Sequence, residues 1–83
     1  MKPEISIIIP MYNAGKIIEQ VLQSLEDQTN KNFEVIIVDD VSTDNSVEIV
    51  KNHSVNPIIL SKNSGPSKAR NIGVKNAKAE VII

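Results

Sequence analysis

The chain has 83 residues with nine Lys and Arg, ten Asp and Glu, one His and no Cys, for a formal net charge of −1. That length allows one small domain, and the absence of Cys excludes a disulfide scaffold, a thiolate metal site and a Cys nucleophile. A single His excludes a multi-His metal site, and the two aromatics, Tyr12 and Phe33, argue against a stacking platform for single-stranded nucleic acid.

The near-zero charge hides a polarity. Residues 1–50 hold three bases against nine acids, and residues 51–83 hold six bases against Glu80 alone. A wholly basic nucleic-acid surface does not fit this division, whereas a site with one acidic and one basic lip does. Apolar runs are a few residues long, so neither a transmembrane span nor a signal-peptide core is expected. The expected compartment is the cytoplasm, with membrane association left open for a longer parent protein.

Ile5, Ile7, Ile8 and Ile9 predict a strand over 4–10 that stops at Pro10. Near-continuous β-branched runs suit a strand covered on both faces, as in a parallel sheet. After the Tyr12-Asn13-Ala14-Gly15 turn, Ile17, Ile18, Val21, Leu22 and Leu25 recur at helical spacing and predict a helix over about 15–27. Thr29-Asn30-Lys31-Asn32 breaks it. Phe33 to Val38 is a second strand ending at Asp39-Asp40, and Ser42 or Thr43 is expected to cap a helix that runs to about 52. Ile58-Ile59-Leu60 is a short third strand. Pro66 suits the first turn of a helix over 66–77, whose apolar stripe is the narrow set Ala69, Ile72, Gly73 and Ala77. Val81-Ile82-Ile83 begins a fourth strand.

The order βαβαβαβ predicts an α/β fold: a mostly parallel sheet of about four strands between helices, in a three-layer αβα arrangement. Ligands in such sheets bind beyond the carboxyl ends of the strands. Three segments fall there: Pro10–Asn13, Asp39–Asp40 and Ser61–Gly65. The acid pair could accept hydrogen bonds from a base or ribose, hold a divalent cation, or simply cap the next helix. Tyr12 could stack on a nucleobase or pack on the helix behind it. The segment Asn63 to Asn71 places Ser64 and Gly65 at a helix start, where free N–H groups would suit an anion, with Lys68 and Arg70 in the first two turns. Lys75 and Lys78 suit the negative helix end. His53 and the Glu26-Asp27 pair read as solvated surface. The first turn lacks G-x-G-x-x-G, and no G-x-x-x-x-G-K-[ST] occurs, so NAD binding and P-loop hydrolysis do not fit.

Three segments in order resemble the N-terminal part of family 2 inverting glycosyltransferases of the GT-A fold. They are Ile5-Ser6-Ile7-Ile8-Ile9-Pro10-Met11-Tyr12-Asn13, Val35-Ile36-Ile37-Val38-Asp39-Asp40-Val41-Ser42-Thr43-Asp44, and Asn63-Ser64-Gly65-Pro66-Ser67-Lys68-Ala69-Arg70-Asn71-Ile72-Gly73. The resemblance covers about residues 4–83 and implies a nucleotide-diphospho-sugar donor. By position, Pro10 and Tyr12 would line the nucleoside pocket. Asp40 would bond the base, Asp39 would support it or reach the ribose, and Arg70 with Lys68 would lie near the diphosphate. Asn71 and Gly73 would be structural, with Gly73 letting the helix approach the sheet. Val41 departs from the Gly or Asn usual there.

The family's D-x-D motif, which holds Mn²⁺ or Mg²⁺ on the diphosphate, does not occur in these residues. Nor does a carboxylate base for the hydroxyl acceptor, a glycan or another alcohol. The resemblance therefore implies a single partial domain over 1–83, the donor-nucleotide-binding half of a glycosyltransferase, inactive alone and with no catalytic or metal residue of its own. An uncovered sheet edge would favour a homo-oligomer. Two alternatives use the same residues: a receiver-like signalling module, from the Val35–Asp40 strand and acid pair, and a structural fragment without a ligand.

Overall fold

Two β-branched runs form the middle of the molecule. In the computed structural model, which describes residues 3–29 and 31–83, β1 (Ile5–Met11) and β2 (Phe33–Asp39) pair in parallel from Ile5 opposite Phe33 to Met11 opposite Asp39. Asn30, part of the predicted helix break, lies outside the described residues. β3 (Ile58–Ile59) adds to β2 and β4 (Val81–Ile82) to β1, giving the order β3-β2-β1-β4 with every pair parallel. The connecting helices are α1 (Gly15–Glu26), α2 (Ser46–Asn52) and α3 (Pro66–Asn76). No helix among the described residues is long and apolar enough to cross a membrane.

The near-continuous apolar strands are explained by cover on both faces. Alternation turns Ile9, Met11, Val35 and Ile37 to one side, where they meet Ile18 and Leu22 of α1 and Val50 of α2. Ile8 and Val38 turn to the other side and meet α3. Ile17, expected in the α1 stripe, is 66% exposed, because it stands one residue round the helix from the buried Ile18.

β1 continues one residue past Pro10, where an end was expected. The even-numbered residues of β1 bond toward β4, as the Ile8 N–H to Ile83 and Ser6 carbonyl to Ile83 bonds show. Pro10 therefore lacks its N–H on the side away from β2, so pairing with β2 loses nothing. The helix α2 begins at Ser46, three residues beyond Thr43, so neither Ser42 nor Thr43 caps it.

Ser6 and Glu34, directly opposite each other, seat β4. Ser6 Oγ donates to Glu34 Oε2 at 2.5 Å, Glu34 Oε2 accepts the Lys78 N–H at 2.7 Å, and Ser6 Oγ accepts the Ala79 N–H at 3.1 Å. The Ser6 hydroxyl, and then the Lys78 N–H, hold the Glu34 carboxyl below its usual range.

His53, read from sequence as solvated, joins the two helices on its face. Its Nδ1 lies 2.6 Å from Glu26 Oε2 and its Nε2 3.0 Å from Glu19 Oε2, both on α1. The Glu26 bond first, and the Glu19 bond second, raise the imidazole pKa above its usual value. A raised folded pKa contributes stability that is complete below about 6.5 and is lost as pH climbs through the folded value. Thermal melts should therefore show the wild-type chain losing stability from about pH 6.5 upward, and His53→Gln should flatten that slope.

A Cβ placed on Gly73 would stand 2.5 Å from Ile8 Cγ2 and 3.3 Å from Val38 Cγ2. The close helix–sheet approach expected from sequence is thus real. Gly73→Ala sets an overpacking cost of about 1–3 kcal/mol against about 1 kcal/mol of gained helix propensity. The expected net loss of about 1 kcal/mol would lower the Tm by about 4–8 °C in a melt of the variant.

Candidate functional site

Because β1, β2 and β3 are parallel neighbours, the three segments that follow them meet at one edge of the sheet. Side chains lace the first two together. Asn13, in the left-handed region at φ 47°, accepts the Thr43 and Asp44 N–H groups on Oδ1 at 2.7 and 3.3 Å and donates its own N–H to Ser42 Oγ at 2.9 Å. Asp44 then bridges two helix starts, accepting the Gly15 N–H of α1 at 3.1 Å and the Ser46 N–H of α2 at 2.9 Å. The Ser46 hydroxyl also donates to it, and Ser46 Oγ accepts the Ala14 N–H at 2.9 Å. The Ser46 hydroxyl, with the Ser46 and Gly15 N–H groups behind it, holds the Asp44 carboxyl below its usual range. Asp44, not Ser42 or Thr43, is therefore what satisfies the first turn of α2.

Consecutive strand residues point to opposite faces, and this separates the acid pair. Asp39 is buried toward the α1–α2 side, where Oδ2 accepts the Ser42 N–H at 3.0 Å and Oδ1 the Ser42 hydroxyl at 2.5 Å. Asp40, 4% exposed, turns to the α3 side. Its Oδ1 accepts the Ser64 N–H at 2.7 Å and its Oδ2 the Gly65 N–H at 2.9 Å. The N–H groups expected to be free for an anion are thus already engaged by an anion of the protein itself. All four carboxylate oxygens of the pair are engaged, and they face different loops, so the pair does not form a cation site. Among the described residues no group of three or more His, Cys, Asp or Glu could hold a metal ion.

Above Asp40 opens a pocket of about 620 Å³. Pro10, Met11 and Tyr12 form its β1 wall, Asp40 its floor, and Asn63, Gly65, Pro66 and Ala69 its α3 wall. Tyr12 is 53% exposed, so a large part of its ring is open to contact. Of the six residues singled out from sequence, Pro10, Tyr12 and Asp40 come together here. Asp39 serves the neighbouring loop instead. Lys68 and Arg70 are exposed on α3 and do not line the cavity. Arg70 stands one turn after Pro66 on the same row of α3. Lys68 is about 200° round the helix from Pro66 and faces away. Asn63, which opens the third resembling segment and is given no individual role there, lines the cavity. Its position just after the third strand was the available signal, and its Nδ2 donates to the Asp40 carbonyl at 3.2 Å.

Val41 takes φ 63°, a left-handed conformation that is costly for a β-branched residue. The reversal accompanies the return of the Ser42 N–H onto Asp39 Oδ2. A Gly or Asn would occupy this position without the same strain.

The family profile described as Glycosyl transferase family 2 matches residues 6–83. The chain is 41% identical over 85 residues to an uncharacterized glycosyltransferase of Haemophilus influenzae, covering 96% of this chain and 34% of the relative. It is 37% identical over 87 residues to glycosyltransferase GlyG of Streptococcus pneumoniae, covering 99% of this chain and 29% of the relative. The chain thus spans about a third of the length of these relatives. Its fold superposes with a TM-score of 0.87 on residues 1–349 of TarS from S. aureus, solved in complex with UDP-GlcNAc. The identity there is 40%, over 100% of this chain and 25% of that one. A mannosyltransferase of Pyrobaculum calidifontis, in complex with GDP-Man and Mn²⁺, shares the fold with a TM-score of 0.83 at 24% identity, over 99% of this chain and 26% of that one.

The strain at Val41 gives a direct expectation. Releasing a β-branched residue from the left-handed region recovers about 1–3 kcal/mol, of which Gly returns about 0.5–1 kcal/mol to the unfolded chain. Val41→Gly should therefore stabilise the chain by about 1 kcal/mol, read as a Tm rise of about 4–8 °C. A fall in Tm would show that the Val41 side chain contributes packing greater than its backbone strain.

Proposed function

The chain belongs to glycosyl transferase family 2, and from that premise we propose that its pocket holds the nucleotide end of a nucleotide-diphospho-sugar donor. The observation that carries this reading is the meeting of Pro10, Tyr12 and Asp40 around one cavity at the carboxyl edge of a parallel sheet. A volume of about 620 Å³ falls in the range of small-ligand pockets. The TarS structures that match at 40% and 37% identity are complexes with UDP-GlcNAc and with UDP. In the proposed pose the base stacks on the Tyr12 ring against Pro10. Asp40 presents its remaining lone pairs to a base N–H, and Arg70 faces the diphosphate with its planar fork. Asp39 acts on the loop rather than on the donor.

The reaction served by this site is transfer of the sugar to an acceptor hydroxyl with inversion. The acceptor oxygen bonds to the anomeric carbon as the bond to the diphosphate breaks, and a general base takes the hydroxyl proton. The family's metal-holding D-x-D and that base have no counterpart among these residues, so the contribution of this segment is donor binding without transfer. The described residues do not fit a metal ion. The receiver-like alternative has no support once the family is known.

Calorimetric titration with UDP and GDP tests the reading. The chain should bind at least one of them, and Tyr12→Ala should weaken that binding about tenfold or more, since stacking on an aromatic is worth about 1–3 kcal/mol per base. A folded chain that binds no nucleoside diphosphate would sink the proposal.

A further inference from the structure

The Asp40 carboxylate has work to do before any ligand arrives. Its two oxygens accept the Ser64 and Gly65 N–H groups at 2.7 and 2.9 Å, and its backbone carbonyl accepts Asn63 Nδ2 at 3.2 Å. Three hydrogen bonds from one buried residue thus hold the segment 63–65. Gly65 itself takes φ 91°, a conformation that favours glycine. Gly65 in turn starts α3: its carbonyl accepts the Ala69 N–H at 3.1 Å, and Arg70 is the next residue along. Hydrogen bonds to a charged acceptor are stronger than neutral ones, and losing one leaves a partly buried N–H without a partner.

We infer that Asp40 is a positioning residue: its carboxylate fixes the 63–65 segment and, through Gly65, the entry of α3 and the placement of Arg70. This rests on the donor-site reading and adds to it that one side chain sets both the base side and the diphosphate side of the pocket. An Asp40 that merely read the base would leave Arg70 unaffected.

Two measurements on the 83-residue chain test the inference. In the first, amide hydrogen exchange is followed in the unliganded wild type and in Asp40→Asn, which keeps one acceptor oxygen but turns an NH₂ toward a backbone N–H. Exchange at Ser64 and Gly65 should quicken about tenfold or more relative to Ile37 in the core, the size expected for one lost charge-assisted bond. Unchanged exchange overturns the inference. If Asp40→Asn fails to fold, Asp40→Glu, which keeps the charge but displaces the carboxylate by one methylene, makes the same comparison, with quickened exchange at Ser64 and Gly65 supporting and unchanged exchange overturning.

In the second, UDP is titrated into wild type, Asp40→Asn, Arg70→Ala and the double variant. Each single change should weaken binding about tenfold, and the double variant should fall well short of the roughly hundredfold product, because coupled residues are not additive. A double variant that reaches the product overturns the coupling. A wild type that binds no UDP counts against the donor-site reading itself, and the exchange measurement then decides the positioning role alone.

Discussion

The site edge of this protein depends on backbone N–H groups that have no partner in a helix or strand. A loop that leaves a strand and enters a helix carries several such donors, and burying them unmet is costly. Here side-chain oxygens meet them across loops. Asn13 and Asp44 bind the first two connections to each other, and Asp40 binds the third to the end of β2. The loop parts of the pocket wall are therefore held by polar groups reaching from the neighbouring connection, while Pro10 and Met11 stand on β1 itself.

The acid pair shows how much one strand's geometry decides. Adjacent carboxylates invite reading as a single chelating unit. The pleat sends them to opposite faces, and each closes a different loop, Asp39 on Ser42 and Asp40 on Ser64 and Gly65. Two like charges are thereby kept on separate donors instead of competing for one. The division also explains why Asp40 reaches the cavity floor and Asp39 does not.

The architecture was legible in the residues. The isoleucine and valine runs named both long strands to within a residue, and Pro66 with the Ala69 and Gly73 stripe named α3 and its close face. What stayed hidden involved relations between segments. Asp44 as the shared cap of α1 and α2, His53 as the bridge to Glu19 and Glu26, and Ser64 and Gly65 as donors to Asp40 all depend on residues 24 to 34 positions away. Local spacing carries no sign of such partners. Pro10 misled for a related reason: its missing N–H lies on the side away from β2, and which side that is depends on the pairing of the strands. Val41 gave a partial signal, a bulky residue in a turn, whose meaning became clear only from its positive φ.

The Ser6–Glu34 pair has a consequence for how the chain assembles. These two side chains are brought together by the central crossover, yet the groups they await, the N–H of Lys78 and of Ala79, lie 44 and 73 residues further along. Contacts of such long sequence separation carry a loop-closure entropy that their hydrogen bonds must offset. The register of β4 is thus read from the central strand pair by a hydroxyl and a carboxylate.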